Sequence, residues 1–155
     1  MSGPARILAS GVFDLFHVGH LRYLQYARAQ GASLVVGVLE DELVWRLKAK
    51  RPTIPLAQRM ELIAGLACVD EVRVQPTSTN DVQAASQWIP AWGVTHVVVG
   101  GMWHGNAAWA RLQSLLQSQG VTVSYAPATE GISSTDIAAR LRGRARPDQV
   151  LPAQS

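Results

Sequence analysis

The chain has 155 residues, 48% hydrophobic and 16% charged, with one cysteine and a formal net charge of +3. That balance fits one globular domain with a sizeable core and excludes a disordered or fibrous chain. A single cysteine excludes an internal disulfide, no apolar run approaches a membrane span, and no segment reads as a secretory leader, so a cytoplasmic protein without a membrane partner is expected.

Arg6 to Ser10 reads as a short buried strand, after which Gly11 frees the backbone to turn. The stretch Gly11-Val12-Phe13-Asp14-Leu15-Phe16-His17-Val18-Gly19-His20 then leads into a segment where Leu21, Leu24 and Ala27 recur at helical spacing. A helix therefore begins at about the two histidines, where unpaired backbone N–H groups and the positive dipole end suit a phosphate. His17 and His20 are three apart and share a face of that first turn. Gly19 between them is expected to let a ligand approach the backbone. Two histidines on one helix are too few ligands for a structural zinc, and Cys68 lies in an apolar helix-like run.

The helix is expected to stop at Gly31, before the unbroken apolar run Leu34 to Leu39, which reads as a central parallel strand. It ends at Glu40 and Asp41, so Asp14, His17 and Asp41 are expected together at the carboxyl ends of strands. Trp45 to Arg51 carries Arg46, Lys48, Lys50 and Arg51 ahead of Pro52 and reads as a basic loop. Pro55 suits the first turn of the next helix, with Leu56, Met60, Ile63 and Ala67 as its buried stripe and Arg59 off that stripe.

Val72 and Val74 mark a third strand, and Asn80 or Asp81 caps a helix whose Val82, Ala85, Ile89 and Trp92 share a face. Thr95 to Val99 is a fourth buried strand in which His96 is structural. Gly100 and Gly101 at its carboxyl end again suit a close ligand. A helix from Asn106 or Ala107, with Ala108, Leu112 and Leu115 inward, runs to Gly120. Val121 to Tyr125 is the fifth strand, and Ser134 and Thr135 stand at the entry of a last helix. Arg140, Arg142, Arg144 and Arg146 have no aromatic residues interleaved, so they read as a helix end and a flexible tail at 143–155, with no nucleic-acid surface. The alternation predicts one doubly wound, Rossmann-like α/β domain of five parallel strands over 1–142.

The decapeptide Gly11 to His20 resembles the G-x-F-D-x-x-H-x-G-H signature of the cytidylyltransferase-like nucleotidyltransferases, and the resemblance extends over 6–142. It implies the strand order 3-2-1-4-5, nucleotide contacts from Gly11, Val12, Phe13, Asp14 and Gly19, and His17 and His20 as catalytic donors to the α-phosphate. The basic stretch resembles the family's lysine-bearing loop, which implies Lys48 as the third catalytic residue, ahead of Lys50. Gln58 to Val72 resembles the family helix that ends in a valine-aspartate pair, which implies Arg59 at the nucleotide. The turn at Gly100 and Gly101 keeps the glycine and Trp103 of a Gly-Asp-Asp-Trp pattern, with Gly101 and Met102 in place of the acids. The run Thr129-Glu130-Gly131-Ile132-Ser133-Ser134-Thr135 resembles the R-T-E-G-I-S-T-T motif that wraps the triphosphate. Ala128 stands where that motif has arginine, so either Arg46, Arg59 or Arg111 compensates, or the activity is slower or directed at a different nucleotide.

The resemblance implies transfer of CMP from CTP to the phosphate or phosphonate of a small phosphorylated alcohol such as glycerol 3-phosphate, releasing pyrophosphate. It also implies Mg2+ held mainly by phosphate oxygens and a homodimer. Two alternatives stand beside it. One is an adenylyltransferase using ATP on a sugar phosphate or FMN, toward which Arg46-Leu47-Lys48 and Arg51-Pro52 lean, while Thr129 to Ile132 leans to CTP. The other is a nucleotide-binding regulatory protein without turnover, suggested by Ala128 and Met102 and opposed by His17, His20 and Lys48.

Overall fold

Strands covered on both faces must be apolar at consecutive positions, and β2 (Ser33–Val38) is buried at every residue after its first. With β1 (Arg6–Gly11), β3 (Glu71–Val74), β4 (His96–Val99) and β5 (Thr122–Tyr125) it forms one parallel sheet in the order β3-β2-β1-β4-β5. Among the described residues six α-helices connect or follow the strands: α1 (Val18–Ala29), α2 (Asp41–Lys48), α3 (Leu56–Ala64), α4 (Val82–Ala91), α5 (Ala107–Ser118) and α6 (Ser134–Arg144). This computed structural model describes residues 3–144.

The two-residue period of the strands sends neighbouring side chains to opposite layers. Leu8, Val35, Val97 and Val99 join Trp88, Ile89, Leu112 and Leu116 of α4 and α5 in one core. Ile7, Ala9, Leu34, Val36 and Val98 join Leu24 and Ala27 of α1 and Ile63 of α3 in the other. Strand β1 pairs with β2 on one edge and β4 on the other, Leu8 lying opposite both Val35 and Val97. The chain direction across the sheet reverses there, and beyond the carboxyl ends of β1 and β4 such a switch point forms the crevice of a doubly wound sheet.

Several elements differ from the sequence reading. The basic stretch is helical through Lys48: Asp41 and Glu42 occupy the first turn of α2 and Arg46 and Lys48 its last, complementing the helix dipole. Ala49 ends the helix with φ 54, leaving only Lys50 and Arg51 in the connection. Pro55 is the N-cap of α3 rather than part of its first turn, and α3 stops at Ala64, so Ala67 is exposed outside it. Arg59 lies on the buried face of α3, at 1% exposure. In α5 the inward residues are Trp109, Leu112 and Leu116, while Leu115 is exposed: the large indole sets the rotation of the helix, and Leu116 follows it by two turns. Helix α6 continues through Arg144, across the expected boundary at 142, and Arg146 with the rest of the tail lies outside the described residues. His96 pairs with Ser124 of the neighbouring strand at 2.8 Å, which is a structural role.

Candidate active site

The loop from β1 to α1 is held in a conformation that side-chain-bearing residues rarely adopt. Phe13 and Leu15 have φ 57 and 47, on either side of Asp14. Left-handed backbone at non-glycine residues costs free energy and persists only where surrounding contacts over-determine it. Those contacts are present. The Phe13 ring stacks on Tyr23, whose buried hydroxyl donates to the Val98 carbonyl at 2.6 Å and accepts the Ser10 N–H. The Asp14 carboxylate accepts the N–H groups of Thr53 and Ile54 at 2.8 and 2.9 Å, and its carbonyl accepts the Ser134 hydroxyl at 2.6 Å. One residue thus ties together the signature loop, the entry to α3 and the entry to α6.

The two histidines cap α1 reciprocally. His17 is the N-cap, its Nδ1 accepting the Gly19 N–H at 3.0 Å, while Nδ1 of His20 accepts the His17 N–H at 3.2 Å. This is a capping box built from imidazoles, with rings stacked 3.9 Å apart. A ring nitrogen that accepts a hydrogen bond does not carry the proton, so each neutral imidazole is protonated at Nε2 and keeps that N–H as a donor. Burial, with His17 beside it and Asp14 opposing, takes the His20 pKa down to about 4, and burial lowers His17 as well. The pair therefore acts near neutral pH as two uncharged N–H donors at a helix N-terminus. The glycine between them has a local cause: a Cβ at Gly19 would lie 2.7 Å from Cε1 of His17, so the capping ring itself excludes a side chain. The close approach expected of a ligand is made first by the protein.

Lys48 at the end of α2 is exposed, yet desolvation by its surroundings and the neighbouring Lys50 lower its pKa, and the Asp14 charge opposes that shift, placing the ammonium within the field of the signature loop. Arg59 is placed differently from the expectation of a nucleotide contact. Its guanidinium is fully enclosed and donates to the carbonyls of Ile54, Val12 and Leu39 at 2.8, 2.7 and 2.8 Å and to the Asp41 carboxylate. Asp41, which also accepts the Leu56 N–H, is the functional neighbour that the sequence located only by its strand end. Arg59 thus holds the loop that carries the histidines rather than a ligand.

On the other flank Gly100 and Gly101 leave β4, and a Cβ on Gly101 would meet the Ala126 carbonyl at 2.3 Å and the Ala128 nitrogen at 2.8 Å. The glycine is required because the β5–α6 connection packs directly on it. Met102 and Trp103 follow in an exposed 3-10 turn. In the hydroxyl-rich run Ser133 caps α6 by accepting the Asp136 N–H at 3.0 Å, and Ser134 bonds to Asp14. The hydroxyls of Ser133 and Ser134, expected at the phosphates, are therefore engaged internally. The exposed Thr135 and the free N–H groups of the first turn of α6 remain for a ligand. Thr129, Glu130, Gly131 and Ile132 form the approach to this turn, with Ile132 Cγ2 facing Gly19. Val12 contributes its carbonyl to Arg59, and Gly11 accepts the Leu39 N–H at 3.1 Å. Arg111, expected as a substitute for the missing arginine, lines a separate groove with Asn80, Asp81 and Ser114. The sequence reading passed over Arg22 and Tyr26 of α1, which line a groove with Ala128; their spacing of three and seven from Gly19 was the available signal.

Among the described residues no group of three or more His, Cys, Asp or Glu side chains is arranged to hold a metal ion, and no helix is long and apolar enough to cross a membrane.

Comparison with known proteins agrees with this geometry. The chain is 38% identical over 144 residues to a bifunctional protein HldE of Halorhodospira halophila, covering 92% of this chain and 29% of that protein. It is 45% identical over 78 residues to an FAD synthase of Thermococcus onnurineus, covering 50% of this chain and 52% of the other. The chain thus spans between about a third and a half of the length of these relatives. A lipopolysaccharide core biosynthesis protein from Thermoplasma volcanium superposes with a TM-score of 0.66 at 27% identity, over 83% of this chain and all of that one. A pantoate-beta-alanine ligase from Francisella tularensis, crystallised with a β,γ ATP compound and beta-alanine, shares the fold at a TM-score of 0.57 and 10% identity, over 90% of this chain and 69% of that one. The family model for cytidylyltransferase-like proteins matches residues 8–140, and with the paired histidines, the sheet order and the two helix N-termini at its switch point, the chain belongs to the cytidylyltransferase-like family.

Proposed function

We propose that this protein transfers an adenylyl group from ATP to the phosphate of a small phosphorylated acceptor, a sugar phosphate before others, with release of pyrophosphate. An acceptor phosphate oxygen attacks the α-phosphorus, the bond from that phosphorus to the α,β-bridging oxygen breaks, and the electron pair leaves with pyrophosphate. The observation that carries the reading is the pair of neutral Nε2–H donors on α1, joined through Asp14 to the N-terminus of α6. Two helix N-termini fixed to one loop offer backbone and imidazole donors to adjacent phosphates, and catalysis then consists of positioning and stabilising developing charge. In this reading Lys48 neutralises the α-phosphate and the incoming acceptor.

ATP is preferred over the CTP of the sequence reading because of the relative named as an FAD synthase, whose product contains an adenylyl group. The solved neighbour named for lipopolysaccharide core biosynthesis favours a sugar acceptor. CTP with glycerol 3-phosphate is the second reading, supported by the resemblance of Thr129-Glu130-Gly131-Ile132. Among the described residues no three-donor cluster is present, so a magnesium ion would be held mainly by the nucleotide's phosphate oxygens and would supply charge neutralisation. Pyrophosphate release with ATP or CTP against sugar phosphates, FMN, glycerol 3-phosphate and phosphocholine is the test. Release with ATP and a sugar phosphate is expected; release confined to CTP selects the second reading, and triphosphate binding without release from any pair overturns the enzymatic one.

A further inference from the structure

The pairing of β1 with β4 runs from Ile7 opposite His96 to Leu8 opposite Val97 and ends there. Continued by two residues, that register would bring the Ser10 N–H to the Val98 carbonyl. Tyr23 of α1 stands between them instead: its hydroxyl accepts from the Ser10 N–H at 3.2 Å and donates to the Val98 carbonyl at 2.6 Å. One phenol oxygen thus takes the place of a rung of the ladder, at the point where the two strands part beneath the candidate site. Burial raises its pKa, so the phenol keeps the proton that it donates. Gln75, just past β3 and 1% exposed, holds Ser10 from the other side by accepting its hydroxyl, and a Cβ on Gly37 would lie 2.8 Å from that Gln75 oxygen. The anchor of Tyr23 is therefore fixed from three strands.

The ring that carries this oxygen reaches the histidines through Phe13. Phe13 and Tyr23 stack with centroids 6.3 Å apart, and Phe13 lies edge-on to His20 at 5.5 Å. The Phe13 ring folds back over Gly11, where a Cβ would come within 3.1 Å of it, so it is confined on that side as well. Phe16 at 5.2 Å and the stacked His17 at 3.9 Å also pack on the His20 imidazole. The hydrogen bond from the His17 N–H holds His20 at Nδ1 alone, and the ring torsion of a histidine is soft. Packing of the neighbouring rings must then fix where Nε2–H points.

We propose that Tyr23 is a positioning residue of the candidate site: its hydroxyl, held between β1 and β4, sets the Phe13 ring, and Phe13 sets the direction in which His20 presents Nε2–H. The catalytic part of this assignment rests on the nucleotidyl-transfer reading, whereas the orientation of the imidazole does not.

Tyr23→Phe removes one oxygen and keeps the ring. In the full chain, kcat for pyrophosphate release is expected to fall by about 10- to 100-fold, the scale on which a small misplacement of a reacting group acts, with the KM for the triphosphate within about twofold of the parent. In a His20→Ala background the same substitution is expected to change kcat by less than about twofold, because the group it orients is gone. The 15N shifts of His20 at pH 7 give a readout independent of turnover. They are expected to be well separated in the parent, whose ring is held in the Nε2–H form, and to draw together in Tyr23→Phe as the ring exchanges between tautomers. Equal losses in the two backgrounds, a loss that falls on the triphosphate KM, or an unchanged kcat overturns the proposal. An unfolded Tyr23→Phe overturns it too, since the hydroxyl would then be a requirement of the fold. A parent that releases no pyrophosphate from any pair of substrates defeats the functional reading, and the 15N shifts then decide the orientation by themselves; in either case, shifts that Tyr23→Phe leaves unchanged overturn it.

Discussion

The two flanks of the crevice are built by opposite means. On the side of β1 and β2, Asp14, Arg59 and Asp41 join residues 11–17, 39–41 and 53–56 through short hydrogen bonds, and the left-handed Phe13 and Leu15 are held inside that network. On the side of β4 and β5, Gly101 packs on the facing chain, but Met102 is 74% and Trp103 42% exposed, and Pro127, Ala128 and Glu130 stand in solvent. In the proposed reaction the first flank presents the groups whose position sets the chemistry, and preorganisation there would lower the reorganisation needed in the transition state. In the same proposal the second offers open surface to the variable parts of the nucleotide and acceptor. Rigidity and openness are thus divided between the two sides of one switch point.

The division breaks first at Arg59. Arg59→Met is expected to lower stability by about 3–5 kcal/mol, because it removes a buried charge partner and leaves the carbonyls of Val12, Leu39 and Ile54 without a donor. The urea midpoint measures this, and a loss under about 1 kcal/mol would show that water replaces the guanidinium and that this flank is not rigid. His20→Ala is expected to remain folded while turnover falls by about 10²–10³-fold, the usual loss of one transition-state donor. The His17→Ala, His20→Ala double variant should lose less than the sum, since the rings act as one unit; full additivity in kcat speaks against the shared role.

Asp14→Asn leaves one of the Thr53 and Ile54 N–H groups facing an amide donor, and about 1–3 kcal/mol of stability should be lost, whereas Met102→Ala on the open flank should change stability by under about 0.5 kcal/mol. Equal effects from these two substitutions would erase the contrast between the flanks. Lys48→Met is expected to raise the acceptor KM by about tenfold with triphosphate affinity little changed, as for a lost charge at an exposed site; calorimetry showing the reverse would move Lys48 to the triphosphate.

Apart from the Met102→Ala control, the smallest expected effect is in the pH dependence. His20 titrates near 6.5 in the unfolded chain and about 4 in the fold, so the unfolded state binds more protons between those values. Its contribution is complete above pH 6.5 and is lost as pH falls toward 4, by about 1 kcal/mol once solvent screening is allowed for. Urea titrations at pH 7 and pH 4.5 measure it, and His20→Asn should flatten that part of the profile. A profile unaltered by His20→Asn places the titration elsewhere.

Sequence alone marked the strands, the helix N-terminus at His17 and the family, because unbroken apolar runs, the glycine-marked turn and the G-x-F-D-x-x-H-x-G-H spacing are local signals, and the sheet order came with the family resemblance. It also brought Asp14, His17 and Asp41 to one end of the sheet, since the switch point follows from topology. Tertiary structure alone decided what the polar side chains face. Arg59 was legible as an arginine on a helix, but its burial depends on four acceptors drawn from the β2–α2 connection, the start of α2, the signature loop and the entry to α3. Ser134 was legible as a helix-entry hydroxyl, but its partner, the Asp14 carbonyl, lies 120 residues away. Gly19 and Gly101 were read as openings for a ligand, and both are filled by the protein's own His17 ring and β5–α6 backbone. The rotation of α5, the helical state of the basic stretch through Lys48 and the meeting of Arg22 with Ala128 have the same cause: side-chain direction is fixed by packing between segments distant in sequence, which no local pattern encodes.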